Sequence, residues 1–340
     1  MERLAMRHQD YRLGAEQLAL RDSVRAYFDK TVGTSRVRAA EPEGFDLDLW
    51  DELQERAFVP MALPESAGGD GAGLVELALL VEEVGRHAVP APIVEVLTAA
   101  RGLARIDPVP ALLSRMCDRG AIVTVAPGQD DRRLVPSGAI AEAALAQRGD
   151  DLVLISGQSG PAEGNLACMP LRWWTMAGAT VIGTAGDWWD IERDWHVLTA
   201  AMLIGLAQAS LDLGVRYAKE RSAFGAQIGS FQAVSHPLVD AFNDIESARR
   251  LLWRAAWFCD NEPESIGPLA LCALIAAADA AETAGATAIH TQGGFGFTLE
   301  SDVHIYYRRA KGWAAVAGNR RSLLRRIARV ATQSREVCAS

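Results

Sequence analysis

The sequence predicts an α+β protein that is mostly α-helical, with an N-terminal helical domain, a small middle β-barrel-like domain and a C-terminal four-helix bundle. Two observations support this prediction. Apolar residues recur at helical spacing up to about residue 118 and again from Trp195 onward. Between these stretches, short runs of β-type residues are separated by Gly, Asp and Pro. We therefore divide the chain into residues 1–118, a shortened middle domain at 119–190, and residues 191–340.

Each part has local signals of its own. In the first part, Val24 and Phe28 lie one helical turn apart, and the proline and glycines of residues 64–73 predict a loop between helices. In the middle part, three runs predict strands: 121–125, 151–155 and 180–182. In the last part, four segments predict long helices: 196–220, 232–260, 265–290 and 318–335.

Composition excludes several classes of protein. The net charge of −9 gives no broad electrostatic reason to bind nucleic acid. No basic run precedes an apolar stretch that could span a membrane or act as a signal peptide, so we expect a cytoplasmic protein without a membrane partner. The five cysteines show no CxxC or Cys/His spacing, and we expect neither a disulfide framework nor a metal site.

Two sequence motifs indicate a functional site. Residues 217–232 read Tyr-Ala-Lys-Glu-Arg-Ser-Ala-Phe-Gly-Ala-Gln-Ile-Gly-Ser-Phe-Gln, which closes one predicted helix, turns at Phe224 and Gly225, and opens the next helix. Residues 292–300 read Gln-Gly-Gly-Phe-Gly-Phe-Thr-Leu-Glu, and residues 306–311 follow as Tyr-Tyr-Arg-Arg-Ala-Lys. A glycine loop alone is a weak signal, because a helix C-terminus can look similar.

In this order, the motifs resemble the RxxFGxxIxxFQ and GGxGyTxE…yRdAk signatures of the acyl-CoA dehydrogenases. Residues 45–53 and 63–71 are similar to the family's N-terminal pattern, so the resemblance covers nearly the whole chain except the middle. It implies the acyl-CoA dehydrogenase fold, FAD as cofactor, an acyl-CoA substrate and an electron-transfer acceptor protein.

The resemblance also implies which residues contact FAD. In the family, the first motif reaches across a dimer interface to the ADP half of FAD, where a guanidinium, an aromatic ring and an amide suit a nucleotide diphosphate. The glycine turn brings backbone N–H groups close to the same diphosphate, and His290 stands where the family commonly has glutamine. The implied cofactor-binding residues are Arg221, Phe224, Gln232, His290, Gly293, Gly294 and Gly296.

The chain departs from the family where the chemistry occurs. The reaction needs a carboxylate that removes the α-proton of the thioester while the β-hydrogen leaves as hydride to the flavin. Aligned with the family, Ala317 takes the usual glutamate position, and Trp195 and His196 take the alternative one at the start of the first bundle helix. Residues 124–130 replace the TEPxxGSD stretch that holds the flavin ring.

Carboxylates at new positions are the alternative source of a base. Asp240 and Asp244 share a helical face after Gln232, and Glu246 follows them. Glu246 is equally suited to an ion pair with Arg249 or Arg250, so its catalytic role is only one of two interpretations.

One hypothesis accounts for both the matches and the departures. The chain would be a subunit of an FAD-dependent acyl-CoA dehydrogenase that lends diphosphate contacts to FAD held mainly by a longer homologue, in an α2β2 heterotetramer. A self-sufficient homo-oligomer with a relocated carboxylate, or a non-catalytic assembly protein of the same fold, are the alternatives.

Overall fold

The computed structural model describes residues 13–106 and 110–339, without the side chains of residues 110 and 333–339. Six helices form its N-terminal part. Asp46 begins the third of them, because its side chain accepts a hydrogen bond from the Leu49 N–H at 2.9 Å. The helices are α1 (Ala15–Thr31), α2 (Thr34–Ala39), α3 (Leu47–Glu55), α4 (Leu74–Arg86), α5 (Ile93–Arg105) and α6 (Pro110–Arg119).

Six strands form the middle part. A four-stranded sheet has the order β1-β3-β4-β6, and β2 pairs antiparallel with β5. The strands are β1 (Val123–Ala126), β2 (Arg132–Val135), β3 (Ala143–Arg148), β4 (Asp151–Ser156), β5 (Arg172–Thr175) and β6 (Thr180–Thr184). The sequence predicted β1, β4 and β6 but missed the other three. In β2, Arg133 is buried and its guanidinium donates to backbone carbonyls, an environment that local propensity does not reveal.

Helices and one small hairpin form the C-terminal part. They are α7 (Ala185–Glu220), the hairpin β7 (Ser222–Ala223) and β8 (Ala226–Gln227), α8 (Gln232–Asn261), α9 (Leu269–Gln292), α10 (Val303–Val316) and α11 (Arg320–Ala339). Thr184 and Asp187 form a capping box that starts α7 before the predicted position, so the expected junction at residue 190 falls inside this helix. Helix α10 was not among the predicted segments. The mostly helical α+β class is confirmed.

Two glycines let α4 and α7 approach each other very closely. A Cβ atom at Gly205 would lie 1.9 Å from the Glu82 carbonyl oxygen and 2.6 Å from the Arg86 nitrogen. A Cβ atom at Gly85 would lie 1.9 Å from the Met202 carbonyl oxygen. This backbone contact fixes the N-terminal helices on the C-terminal bundle.

In the part of the chain that the structure describes, two helices are long and apolar enough to cross a membrane by length and composition alone. In helix α7, 83% of the most apolar window is buried inside the protein, and in the stretch Leu269–Phe297 the share is 56%. Helix α7 packs between α4, α8 and α9, which explains its apolar character as that of a core helix.

A candidate cofactor-contact surface

The first motif forms an exposed hairpin at the end of α7. Arg221 ends the helix, with its N–H donating to the Tyr217 carbonyl at 2.9 Å, and the hairpin turns at Phe224 and Gly225. Both turn residues have positive φ, 54° at Phe224 and 79° at Gly225. A left-handed conformation costs a bulky residue about 1–2 kcal/mol. The Phe224 side chain is nevertheless 98% exposed, which makes it available for contact with a ligand or another chain.

The N-terminus of α8 follows directly and offers backbone N–H groups. Gln232 is the first, exposed residue of this helix. Among the described residues, no side chain caps this N-terminus, and its first turn carries no acidic residue. Such a helix end attracts anions, because its first N–H groups lack partners and the helix dipole is positive there.

The second motif lies at the C-terminal end of α9. His290 is exposed and lines a cavity of about 310 Å³ between α8 and α9, together with Val234 and Pro237 of α8. Gly293, with φ of 60°, and Gly294 are exposed, and a Cβ atom at either would contact nothing within 4 Å. These two glycines leave the loop backbone open to a ligand.

Gly296 differs from the other glycines of the motif. It is buried, and a Cβ atom there would lie 2.8 Å from the Ile289 carbonyl oxygen. Packing of the loop on α9 therefore requires this glycine, whatever contact it makes with a cofactor.

Contacts that the sequence analysis missed hold the glycine loop in place. The Phe295 ring stacks on Tyr217 in the last turn of α7. On the other side, Arg38 of α2 donates to the Ser301 carbonyl at 3.1 Å, and the Ser301 hydroxyl donates to the Gln292 side chain at 2.6 Å. Tyr217 could have been found, because it lies one helical turn before Arg221, whereas no sequence signal connects Arg38 with Ser301.

We use the name contact surface for the exposed face formed by Arg221, Phe224, Gln232, His290, Gly293 and Gly294. These residues lie on three neighbouring chain segments: the end of α7 with its hairpin, the start of α8, and the end of α9 with the glycine loop. Phe224 contacts Phe231, the residue before α8, at a ring distance of 6.3 Å, while His290 shares a cavity with the first turns of α8. The surface offers an exposed guanidinium, the N-terminus of α8 and open glycine backbone, the kinds of group that bind a diphosphate such as that of FAD.

The cavity where the three parts of the chain meet is too small for a flavin ring. Where the N-terminal helices, the sheets and α10 meet, a cavity of about 40 Å³ remains, lined among others by Glu95, Met202, Arg309 and Trp313. Binding pockets for small molecules have volumes of about 300–1,000 Å³. Burial raises the pKa of Glu95 to about 7, and Arg309 is buried beside Glu41 at 3.2 Å. This junction therefore leaves little room for a ligand within the chain.

The first residues of the stretch that replaces TEPxxGSD face inward, whereas Gly128, Gln129 and Asp130 are exposed. The Thr124 side chain is fully buried, and its hydroxyl donates to the Pro136 carbonyl at 2.6 Å. That hydroxyl is therefore committed within the protein and is not available to a flavin ring.

The two usual base positions contain no carboxylate. Ala317 is buried at the end of α10. His196 is buried in α7, and neither of its ring nitrogens has a hydrogen-bond partner among the described residues. Burial lowers the pKa of His196 to about 4, although the Glu192 carboxylate opposes this shift. Glu192 itself pairs with Arg326 of α11, at 3.1 Å.

We expect His196 to make the protein sensitive to acid. Its native pKa of about 4 lies below the unfolded value of 6.5, so the unfolded chain binds the extra proton and stability falls as pH drops below 6.5. Each pKa unit corresponds to about 1.4 kcal/mol. Replacing His196 with leucine should flatten the melting temperature between pH 7 and pH 4.5 relative to the unchanged protein. An equal acid-induced decrease in both proteins would contradict this assignment.

The proposed relocated carboxylates do not form one cluster. Asp240 and Asp244 are exposed on α8. Glu246 is ion-paired with Arg249 and lies 3.5 Å from Arg250, and it lines a separate, highly charged cavity of about 360 Å³ between α1, α4, α7 and α8. The structure thus favours the ion-pair interpretation of Glu246.

The chain belongs to the acyl-CoA dehydrogenase family. The model of the acyl-CoA dehydrogenase C-terminal domain matches residues 196–332, and that of the N-terminal domain matches residues 14–106. The chain is 31% identical to acyl-CoA dehydrogenase IpdE2 of Mycobacterium tuberculosis, over 92% of this chain and 96% of that protein. It is 30% identical to acyl-CoA dehydrogenase FadE34 of the same organism, over 92% of this chain but only 47% of FadE34.

Solved structures confirm the predicted acyl-CoA dehydrogenase fold. A chain of the ChsE4-ChsE5 complex from Mycobacterium tuberculosis matches with a TM-score of 0.86 and 25% identity, over 94% of this chain and 98% of that chain. A chain of a variant of the Tcur3481-Tcur3483 steroid ACAD matches with a TM-score of 0.85 and 27% identity, over 96% and 99% of the two chains.

Proposed function

We propose that this chain is one subunit of an FAD-dependent acyl-CoA dehydrogenase that forms a double bond between the α and β carbons of an acyl-CoA thioester. In this proposal it lends the contact surface to FAD held mainly by a longer partner of the same family, in an α2β2 assembly. The observation that carries the proposal is the contrast between the exposed contact surface and the small cavity of about 40 Å³ where the three parts of the chain meet.

The contact surface has one task for each of its parts. Arg221 neutralises charge on the diphosphate, while the N-terminal N–H groups of α8 and the backbone at Gly293 and Gly294 donate hydrogen bonds to it. Phe224 covers the nucleotide with an apolar ring. When bound, FAD supplies the acceptor for the hydride that leaves the β carbon. The residues of this chain bind and orient that group and keep water away from it.

The α-proton must be taken by a group outside this chain's usual positions. Ala317 cannot accept a proton, and His196 is enclosed in the core. A carboxylate of the partner is therefore the proposed base. Two comparisons support a partner: the ChsE4-ChsE5 structure contains two different chains, and FadE34 is about twice as long as its region of match to this chain.

The names of the relatives also suggest the substrate class. One structural relative is a steroid ACAD, so we propose a thioester derived from a steroid, with an electron-transfer protein as the acceptor and the cytoplasm as the location. Bulky acyl groups fit a site shared by two chains, because its walls do not depend on one small internal cavity.

Co-expression with its longer family partner tests this proposal. We expect the purified chain alone to be colourless and the complex to contain about one FAD per pair of chains, measured by absorbance after release of the cofactor. Each subunit purified alone is the control. A full equivalent of FAD on this chain alone would contradict the lending role and favour a self-sufficient homo-oligomer.

A further inference from the structure

An aromatic pair connects the two halves of the contact surface. The ring centroids of Tyr217 and Phe295 are 6.1 Å apart, and their planes differ by only 11°. Tyr217 lies in the last turn of α7, where its carbonyl accepts the Arg221 N–H. Phe295 lies in the middle of the glycine loop, two residues after Gly293. The stack therefore connects the segment that carries Arg221 with the loop that carries Gly293 and Gly294.

Residues that follow Phe295 have contacts of their own. Gly296 packs on α9, and Ser301 is fixed by Arg38 and Gln292. Gly293 and Gly294 begin a short 3₁₀ helix, Gly293–Phe297, and have no side chains to anchor it, so the Phe295 ring supplies a side-chain contact from this segment to α7. Phe295 is 41% exposed, so burial in the core does not hold its ring in place. The stack on Tyr217 holds it instead.

We propose that Tyr217 is a positioning residue for the flavin diphosphate. Its ring holds the glycine loop at a fixed distance from Arg221, so that both reach the same diphosphate at once. This inference rests on the proposed lending of the contact surface to FAD. The ring carries the effect, and the hydroxyl does not.

The test compares variants of Tyr217 and Phe295 in the complex with the longer partner, by FAD titration after removal of the cofactor. Tyr217→Ala and Phe295→Ala should each weaken FAD binding about five- to tenfold, the scale of a lost aromatic pair. The double variant should be no weaker than either single one, because both remove the same contact. Tyr217→Phe, which keeps the ring, should bind FAD like the unchanged complex.

Other results would overturn the inference. Wild-type affinity in Phe295→Ala would do so, and this exposed loop position is a safe substitute if Tyr217→Ala fails to fold. Equal losses in Tyr217→Phe and Tyr217→Ala would assign the role to the hydroxyl instead. An unchanged complex that binds no FAD would overturn the proposed function itself, which separates that failure from a failure of the aromatic pair.

Discussion

Replacing Arg221 with glutamate is expected to leave the complex almost without FAD. The change removes the exposed guanidinium at the end of α7 and puts a negative charge where the proposal places the diphosphate. Truncating one partner of a buried, hydrogen-bonded charge pair, as Arg221 and the diphosphate would form in the complex, costs about 2–5 kcal/mol, and reversing the charge adds repulsion. We therefore expect affinity for FAD to fall on the order of a hundredfold or more. Fluorescence titration of the cofactor-free complex measures this directly.

Arg216→Glu is the matched control for this change. Arg216 is exposed on the same helix and lies outside the contact surface, so the substitution changes the net charge equally. We expect it to leave FAD affinity within about twofold, since exposed charges at a distance are screened by salt. If both variants bind FAD as the unchanged complex does, Arg221 does not contact the diphosphate.

Replacing Gly205 with valine is expected to cause the largest loss of stability among single changes at the helix crossing. The Cβ atom of the valine alone would lie 1.9 Å from the Glu82 carbonyl oxygen. Because that oxygen belongs to the backbone of α4, it cannot move aside as a flexible side chain could. Overpacking typically costs about 1–3 kcal/mol, and separating two whole helices costs more. We expect either no folded protein or a markedly lower midpoint of urea unfolding.

Gly164→Val provides the control for the loss of a glycine. No atom lies within 4 Å of a Cβ at Gly164, and its φ is not in the left-handed region. This variant should unfold within about 0.5 kcal/mol of the unchanged protein, as surface substitutions usually do. Similar unfolding midpoints for the Gly164 and Gly205 variants would show that the helices can move apart without penalty.

The sequence was sufficient for the family and the fold class because both depend on local patterns. Periodicity over 232–260 predicted α8, and the spacing of Arg221, Phe224 and Gln232 carried the first motif. The structure places those residues on one exposed surface, but their contact with FAD stays a prediction.

Features that depend on distant chain segments were out of reach. Nothing near Gly205 shows that Glu82 lies against it, and nothing near Phe295 shows that its ring stacks on that of Tyr217. Local composition also gave no reason to expect the buried Arg133 in a strand, since its partners are carbonyl groups from three separate positions. Burial and tertiary contact decided these cases, not propensity.

The open backbone at Gly294 has a consequence for how sequence variation in this chain is interpreted. A methyl group there touches nothing, and φ at this position suits any residue, so folding of the single chain places no demand on glycine. A survey that scores variants by abundance or thermal stability would class the position as free to vary. Natural sequence variation at Gly294 would instead reflect what the assembled enzyme requires. Positions that tolerate substitution in the stability survey but stay constant among natural sequences would therefore outline the shared site without any ligand.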